Sequence, residues 1–200
     1  MRSTILRKLA YPALLALVLS PLAFSAVSAK STILTEARMP DPKAEANSLL
    51  SEIKWLSGTL TTHATTLESY RGQPKLSWQT HADQLTLARH QINEIGKRLD
   101  RLQDIKYQTE PWQQQAIEQI VPVAAEVADH TQSAILHLNE NRGYLLAPVY
   151  ADHLTSISES SVELKDSVDA FLEYGDTSEK LDRMQQKLDR LQDRIGLSES

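Results

Sequence analysis

The chain has 200 residues, a formal net charge of −5 at pH 7, six glycines and no cysteine. The absence of cysteine excludes disulfides, c-type haem attachment, thiolate metal sites and thiol catalysis. The glycines are scattered, so no glycine-rich loop is available to cradle a phosphate as in a P-loop or a dinucleotide-binding fold. The acidic balance argues against nucleic acid or anionic lipid as a partner, because both require a basic face.

The first 29 residues follow the order of a cleavable signal peptide. A stretch with three Lys and Arg residues precedes an apolar run at 9–19, and small residues then lead to Ala29. Val27 and Ala29 fit the −3 and −1 positions of a signal-peptidase site, which predicts cleavage after Ala29. An uncleaved membrane anchor is the alternative, but the apolar run has eleven residues, against the ~20 that a spanning helix needs.

The predicted cleavage indicates an exported protein, periplasmic or extracellular, without stable membrane insertion once the signal is removed. Residues 1–29 hold three basic residues and no acidic one, so 18 Lys and Arg remain against 26 Asp and Glu, a formal charge of −8. The remaining 171 residues are enough to bury one core without disulfides. Residues 30–41 show no sustained period and are predicted to be a flexible lead-in.

Two long helices with heptad seams are predicted first. Asp41-Pro42 supplies an N-cap followed by proline at the start of a helix over about 42–70, and Ser77 caps a second helix that ends near Lys106. Apolar residues recur in both at alternating spacings of three and four. The seams are Ala46, Leu49, Ile53, Leu56, Leu60, His63, Leu67 and Tyr70 in the first helix, and Trp78, His81, Leu85, Ala88, Ile92, Ile95, Leu99 and Leu102 in the second.

A third and a fourth helix follow, each with a proline at its start. Thr109-Glu110-Pro111 begins the third helix, Pro122 is expected to kink it, and it ends within 139–143. Pro148 begins the fourth helix, which Gly175 is expected to interrupt. Their apolar positions are Ala116, Ile117, Ile120, Val123, Ala124, Val127, Thr131, Ala134 and Leu138, then Leu154, Ile157, Ser161, Leu164, Val168 and Phe171.

A further amphipathic segment closes the chain. Asp176 and Glu179 resemble a capping box, so a helix is expected to restart after Gly175. This segment could continue the fourth helix, fold back, or pair with another chain. Its narrow apolar stripe, typical of a coiled-coil seam, consists of Leu181, Met184, Leu188, Leu191 and Ile195.

These elements predict an all-α protein. We expect an up-down-up-down four-helix bundle at 42–174 with an additional C-terminal amphipathic, coiled-coil helix at 175–200. The first four helices have similar lengths of about 27–30 residues, or ~40–45 Å each. Connections of about four to seven residues join them, and matched helices with short connections are typical of this architecture.

Known catalytic and metal motifs of helical proteins are missing from the sequence. No His-Glu-x-x-His is present for a zinc hydrolase, and no histidine follows a glutamate by three residues, as di-iron bundles require. No strand-turn-helix element is available to present a nucleophilic serine. We therefore expect a non-enzymatic protein with no cofactor.

Four histidines are predicted to lie at similar levels near one end of the bundle. His63, His81, His137 and His153 each lie about seven to ten residues from a connection, so their levels differ by ~5 Å. Inward imidazoles from several helices could bind zinc, copper or haem iron. The alternative is a structural cap, in which the histidines pack among the aromatic residues of the same end.

Other histidines and tryptophans are placed outside this group. His130 is predicted to lie about two helical turns lower, and His90 projects away from its seam. Trp55 and Trp112 are expected to cover edges of the core, with a role as ligand platforms as the alternative.

Three short stretches carry a resemblance to a known group of proteins. They are Ser77-Trp78-Gln79-Thr80-His81, Pro111-Trp112-Gln113-Gln114-Gln115-Ala116-Ile117 and Leu172-Glu173-Tyr174-Gly175. Together they resemble uncharacterised secreted helical proteins of acidobacteria, over about residues 42–190. The resemblance implies a location in a bacterial envelope and no particular activity, because none is assigned to that group.

Two functions follow as hypotheses. The preferred one is protein–protein interaction or self-assembly in the bacterial envelope through the C-terminal segment at 177–195. The alternative is a periplasmic bundle that binds a metal or haem with His63, His81, His137 and His153.

Overall fold

The computed structural model describes residues 41–196, which are helical apart from short connections and contain no strand. The predicted signal peptide at 1–29, its cleavage after Ala29 and the lead-in up to residue 40 lie outside the described residues. The last four residues of the chain lie outside them as well. Between residues 41 and 196, no helix is long and apolar enough to cross a membrane.

Four long α-helices and one short 3-10 turn make up residues 41–196. Helix α1 spans Pro42–Ser69, α2 spans Trp78–Ile105, α3 spans Pro111–Glu140 and α4 spans Pro148–Gly196. The 3-10 turn at Lys106–Gln108 follows α2. These bounds confirm the predicted starts of all four helices and the predicted ends of the first three.

Side-chain caps start the first two helices at the predicted residues. The Asp41 carboxylate accepts a hydrogen bond from the backbone N–H of Lys43 at 3.1 Å. The Ser77 hydroxyl accepts one from the backbone N–H of Thr80 at 3.2 Å. Each bond satisfies a donor that the first turn of a helix leaves without an intrahelical partner.

The predicted interruption at Gly175 is wrong. Helix α4 continues through this residue to Gly196, which is the first of the three alternatives considered for the C-terminal segment. A glycine inside a helix costs only about 1 kcal/mol relative to alanine, which is too little by itself to end a helix. Helix α3 likewise continues through Pro122.

Each long helix packs against two others. Helices α1 and α3 both contact α2 and α4 along their lengths. Near the end of α2, Arg101 binds both carboxylate oxygens of Glu45, near the start of α1, at 2.6 and 3.0 Å. Between α1 and α4, the Thr61 hydroxyl donates to the backbone carbonyl of Ser161 at 3.1 Å. The four helices therefore enclose one shared core.

The core follows the predicted seams closely in α2 and less closely in α1. In α2, every predicted seam residue after Trp78 is buried. In α1, Leu49 and His63 are only half-buried, while the adjacent Leu50 and Ala64 are fully buried. A helix that packs against two neighbours buries a wider stripe than a coiled-coil seam, which accounts for the burial of Leu50 and Ala64.

Candidate functional site

A histidine–tyrosine cluster joins the end of α1, the start of α2, the end of α3 and the start of α4. We use this name for Tyr70, His81, His137 and Tyr150, whose rings contact one another in sequence. The ring centroids are 5.1 Å apart for Tyr70 and His81, 5.6 Å for His81 and Tyr150, and 5.2 Å for His137 and Tyr150. The cluster therefore combines side chains from four helices at one end of the bundle.

His81 is the buried centre of this cluster. Its side chain is 1% exposed, and its Nδ1 lies 2.9 Å from the hydroxyl oxygen of Tyr150, at hydrogen-bond distance. Burial lowers the pKa of His81 below its ordinary value and raises the pKa of Tyr150 above its own. Both groups are therefore held neutral near pH 7, because the interior disfavours the charged form of each.

The surroundings of Nε2, the other ring nitrogen of His81, indicate which nitrogen carries the proton. Nε2 is buried and has no hydrogen-bond partner among residues 41–196. A buried N–H without a partner is less tolerable than a buried acceptor without one. We therefore assign the proton to Nδ1, which donates to the Tyr150 hydroxyl, and leave Nε2 as an acceptor.

His137 also packs against Tyr150. Its ring is stacked on the tyrosine ring at an interplanar angle of 20°, and its Nε2 lies 3.5 Å from the backbone carbonyl of Tyr144. This packing corresponds to the structural cap considered as the alternative to a metal site. Here His81 and His137 each contact the ring of Tyr150.

A second contact joins α3 and α4 at His130 and His153. Their Nδ1 atoms are 3.3 Å apart and their ring centroids 5.6 Å apart. The pKa of His153 is lowered by burial first and then by the nearby His130 and His137, while Asp152 opposes this effect. The prediction that His130 lies apart from the other histidines is therefore wrong.

The register between α3 and α4 explains this error. Two contacts define this register: His137 packs on Tyr150, and Trp112 packs on Gly175. In each pair, the two residues are equally far in sequence from the midpoint between residues 143 and 144, in the connection. Counting from the helix ends had placed His153 level with His137, whereas this register places it about one turn closer to His130. A shift of one turn is enough to change which histidines meet.

The four histidines predicted as ligands do not form one ligand set. His63 lies apart from the cluster, where its Nδ1 is 3.2 Å from the side-chain oxygen of Gln84. Among residues 41–196, no group of three or more His, Asp or Glu side chains has the arrangement to hold a metal ion. What the structure brings together is the pair His130 and His153, with His137 nearby.

An open groove of about 550 Å³ runs between α1 and α4 beside Trp55. Lys54 and Lys165 bind the Asp169 carboxylate in this groove, each at 2.9 Å. Trp55 is 70% exposed, so the prediction that it covers an edge of the core is wrong. Trp112, in contrast, is half-buried against the core as predicted.

The C-terminal part of α4 carries the largest run of exposed apolar side chains in the described residues. We call Leu181, Met184, Leu188 and Leu191 the C-terminal stripe; they are between 43% and 60% exposed. Every described residue from 179 to 195 is exposed. This part of α4 is therefore a regular amphipathic helix whose apolar side faces solvent.

The chain matches no protein family model, no curated protein and no solved structure. The resemblance to secreted acidobacterial proteins therefore stays a prediction.

Proposed function

We propose that this protein is a non-enzymatic helical bundle that acts by binding another protein or by self-assembly through the C-terminal stripe. One observation carries the proposal: four large apolar side chains, Leu181, Met184, Leu188 and Leu191, lie exposed at helical spacings on a helix continuous with the bundle. Isolated exposed apolar residues are common, but a contiguous row of them on a soluble protein marks an interaction surface.

The geometry of α4 supports this proposal. The helix continues for about 30 Å beyond Gly175, the residue against which Trp112 of α3 packs. A helix of this length with polar residues on all other sides gains little from its own bundle. A partner helix that covers the stripe would remove its apolar surface from water, at ~25 cal/mol per Å².

The histidine–tyrosine cluster supports a structural role better than a catalytic one. The two buried groups with shifted pKa values, His81 and Tyr150, bond to each other and face the interior. A general acid or base needs access to its substrate as well as a suitable pKa. We therefore assign the cluster to holding the four helix ends together.

We further propose that the protein is exported to the periplasm or the cell exterior of a bacterium and that the four long helices run up-down-up-down. The basic, apolar and small-residue order of residues 1–29 supports export. Two contacts support the topology: Arg101 near the end of α2 binds Glu45 near the start of α1, and Trp112 at the start of α3 lies against Gly175, well inside α4.

The test of the interaction proposal is a truncation after Asp176 in the chain that starts at Lys30. We expect the truncated chain to lose only the helical signal of residues 177–196 and to keep its cooperative melting, since the described core residues lie before residue 177. Association measured by analytical ultracentrifugation, or binding to a partner, should be lost. An unchanged oligomeric state and unchanged partner binding would reject the proposal.

The second candidate function is binding of a transition-metal ion in the periplasm, and the pair His130 and His153 favours it. Two nitrogens on one tetrahedral ion, bound at about 2.0–2.1 Å, are ~3.3–3.4 Å apart. The two Nδ1 atoms are 3.3 Å apart. This site has two protein ligands and differs from the four-histidine set, of which it retains only His153.

A further inference from the structure

The charges beside the C-terminal stripe determine which partner and which orientation suit it. The spacing of Leu181, Met184, Leu188 and Leu191 defines positions a and d of two successive heptads. The flanking g positions, immediately before each a residue, are then Lys180, Lys187 and Arg194. The flanking e positions, immediately after each d residue, are Gln185 and Gln192.

One flank of the stripe is therefore wholly basic and the other is neutral and polar. In a parallel two-stranded coiled coil, the g residues of one helix face the e residues of the other. Two copies of this helix would then place Lys180 opposite Gln185 and Lys187 opposite Gln192. These pairs carry no like-charge repulsion, and the lysines can donate to the glutamine oxygens.

An antiparallel pair of the same helices would be unfavourable. That orientation brings g residues against g residues, so Lys187 would face Lys187 of the second copy and Lys180 would face Arg194. Each of these contacts places like charges side by side, which destabilises helix pairs.

The position of the stripe around α4 also permits a second copy to approach. Residues advance by about 100° around a helix, so the centre of the stripe lies ~160° from the side that α4 buries at Leu164, Val168 and Gly175. Two stripes can therefore meet while each bundle lies on the outer side of its own helix. The bundles would not collide even though a parallel pair places both at the same end.

We propose that the partner of the C-terminal stripe is a second copy of this chain, bound as a parallel two-stranded coiled coil. This inference rests on the proposed interaction function and specifies its partner and orientation. The helix is already formed as part of α4, so the pair does not bear the cost of nucleating a helix from a disordered segment.

The first experiment measures the dimer dissociation constant by analytical ultracentrifugation. Leu188→Lys should weaken dimerisation by about 100-fold or more, because it places a charge in the seam of both copies. The control is Leu146→Lys, since Leu146 and Leu188 are both 56% exposed but Leu146 lies in the α3–α4 connection. The control should dimerise as the parent does.

The second experiment uses the absence of native cysteine to determine orientation. Leu181→Cys and Leu191→Cys chains, distinguishable by a size tag, are mixed and oxidised gently, and the disulfide-linked species are separated without reductant. A parallel pair should give 181–181 and 191–191 products, because only those positions approach within disulfide distance. A predominant 181–191 product would overturn the parallel arrangement.

The remaining outcomes separate this inference from the proposed function. A chain that stays monomeric at all concentrations, while Leu188→Lys abolishes binding to another protein, would overturn the second copy and leave the interaction function standing. A dimer that Leu188→Lys does not weaken would overturn both, because its interface would lie elsewhere.

Discussion

The indole ring of Trp112, in the first turn of α3, lies directly against Gly175 of α4. A Cβ atom at residue 175 would be 2.7 Å from Cη2 and 2.9 Å from Cε2 of that ring, closer than carbon atoms approach without a clash. Gly175 is buried beneath the ring. The absence of a side chain at this position therefore allows Trp112 to pack closely against α4, six residues before the C-terminal stripe begins at Leu181.

The first prediction concerns Gly175→Ala. Alanine favours a helix by about 1 kcal/mol over glycine, but here the added methyl group must displace Trp112. Forcing an extra carbon into a packed contact usually costs about 1–3 kcal/mol. We expect a net decrease in the free energy of unfolding, measured by urea denaturation monitored at the far-ultraviolet helix signal.

A matched glycine provides the control for this prediction. Gly96 lies inside α2, and a Cβ there would meet no atom within 4 Å. Gly96→Ala should therefore stabilise the protein by up to about 1 kcal/mol. Replacing Trp112 by Leu in the Gly175→Ala chain should recover part of the lost stability. If Gly175→Ala were as stabilising as Gly96→Ala, the ring would not constrain this position.

The same glycine shows how far local patterns predict this fold. Caps, prolines and the three-and-four spacing of apolar residues predicted where helices begin, since these features act within one turn. Gly175 followed by Asp176 had the local signature of a helix end, yet α4 continues. The glycine makes room for the ring of Trp112, 63 residues earlier in the chain, and no local pattern carries that information.

The candidate site was predictable only in part, for a related reason. Spacing on each helix correctly indicated that His81 faces inward, where it is buried. Which histidines meet depends on the register between helices, and the α3–α4 register differs by about one turn from a count of residues. His130 was therefore left out, and His63 was included although it bonds to Gln84 instead.

The second prediction concerns Gln113, a buried polar residue that the apolar pattern did not reveal. Its amide nitrogen donates to the Lys43 carbonyl at 3.0 Å and to the Asn47 side-chain oxygen at 2.7 Å. Its oxygen accepts from the backbone N–H of Glu110 at 2.8 Å. Gln113 thus links the starts of α1 and α3 while its own hydrogen bonds are satisfied.

We expect Gln113→Leu to lower the free energy of unfolding by about 1–3 kcal/mol, because it leaves polar groups near the core without their partner. Urea denaturation measures the difference. Gln115→Leu is the control, since Gln115 is exposed two residues further along α3 and should change stability by less than about 0.5 kcal/mol. Equal effects of the two substitutions would show that the buried bonds contribute nothing.

The third prediction is that the protein loses stability as the pH falls below 6.5. Burial lowers the pKa of His81 and of His153 from their ordinary value of 6.5. Below that value, the unfolded chain binds protons that the folded chain excludes, so unfolding becomes more favourable. The stabilising contribution of the two neutral histidines is complete above pH 6.5. Below that pH, the free energy of unfolding declines by up to about 1.4 kcal/mol per pH unit for each histidine.

The measurement is the free energy of unfolding at several values between pH 5 and 7.5. In His81→Gln, the slope of the unfolding free energy against pH should decrease over the acidic part of this range. The decrease should correspond to up to one proton fewer bound on unfolding, whatever the effect on absolute stability. The control is His90→Gln, which removes an exposed histidine from the same helix. A His81→Gln chain with the slope of the parent would show that His81 is not responsible.

The fourth prediction tests whether His130 and His153 bind a metal ion. We expect zinc or copper, added to the metal-free chain, to raise the melting temperature, because a ligand that binds only the folded state stabilises it. Two protein nitrogens give a weak site, so the stabilisation should require micromolar or higher free metal and should disappear in His153→Ala. In His81→Ala it should persist, because the rings that contact His81 are those of Tyr70 and Tyr150, which do not belong to this pair. If zinc, copper and haem all leave the melting temperature unchanged, the metal-binding function is rejected. The interaction function is then the remaining proposal.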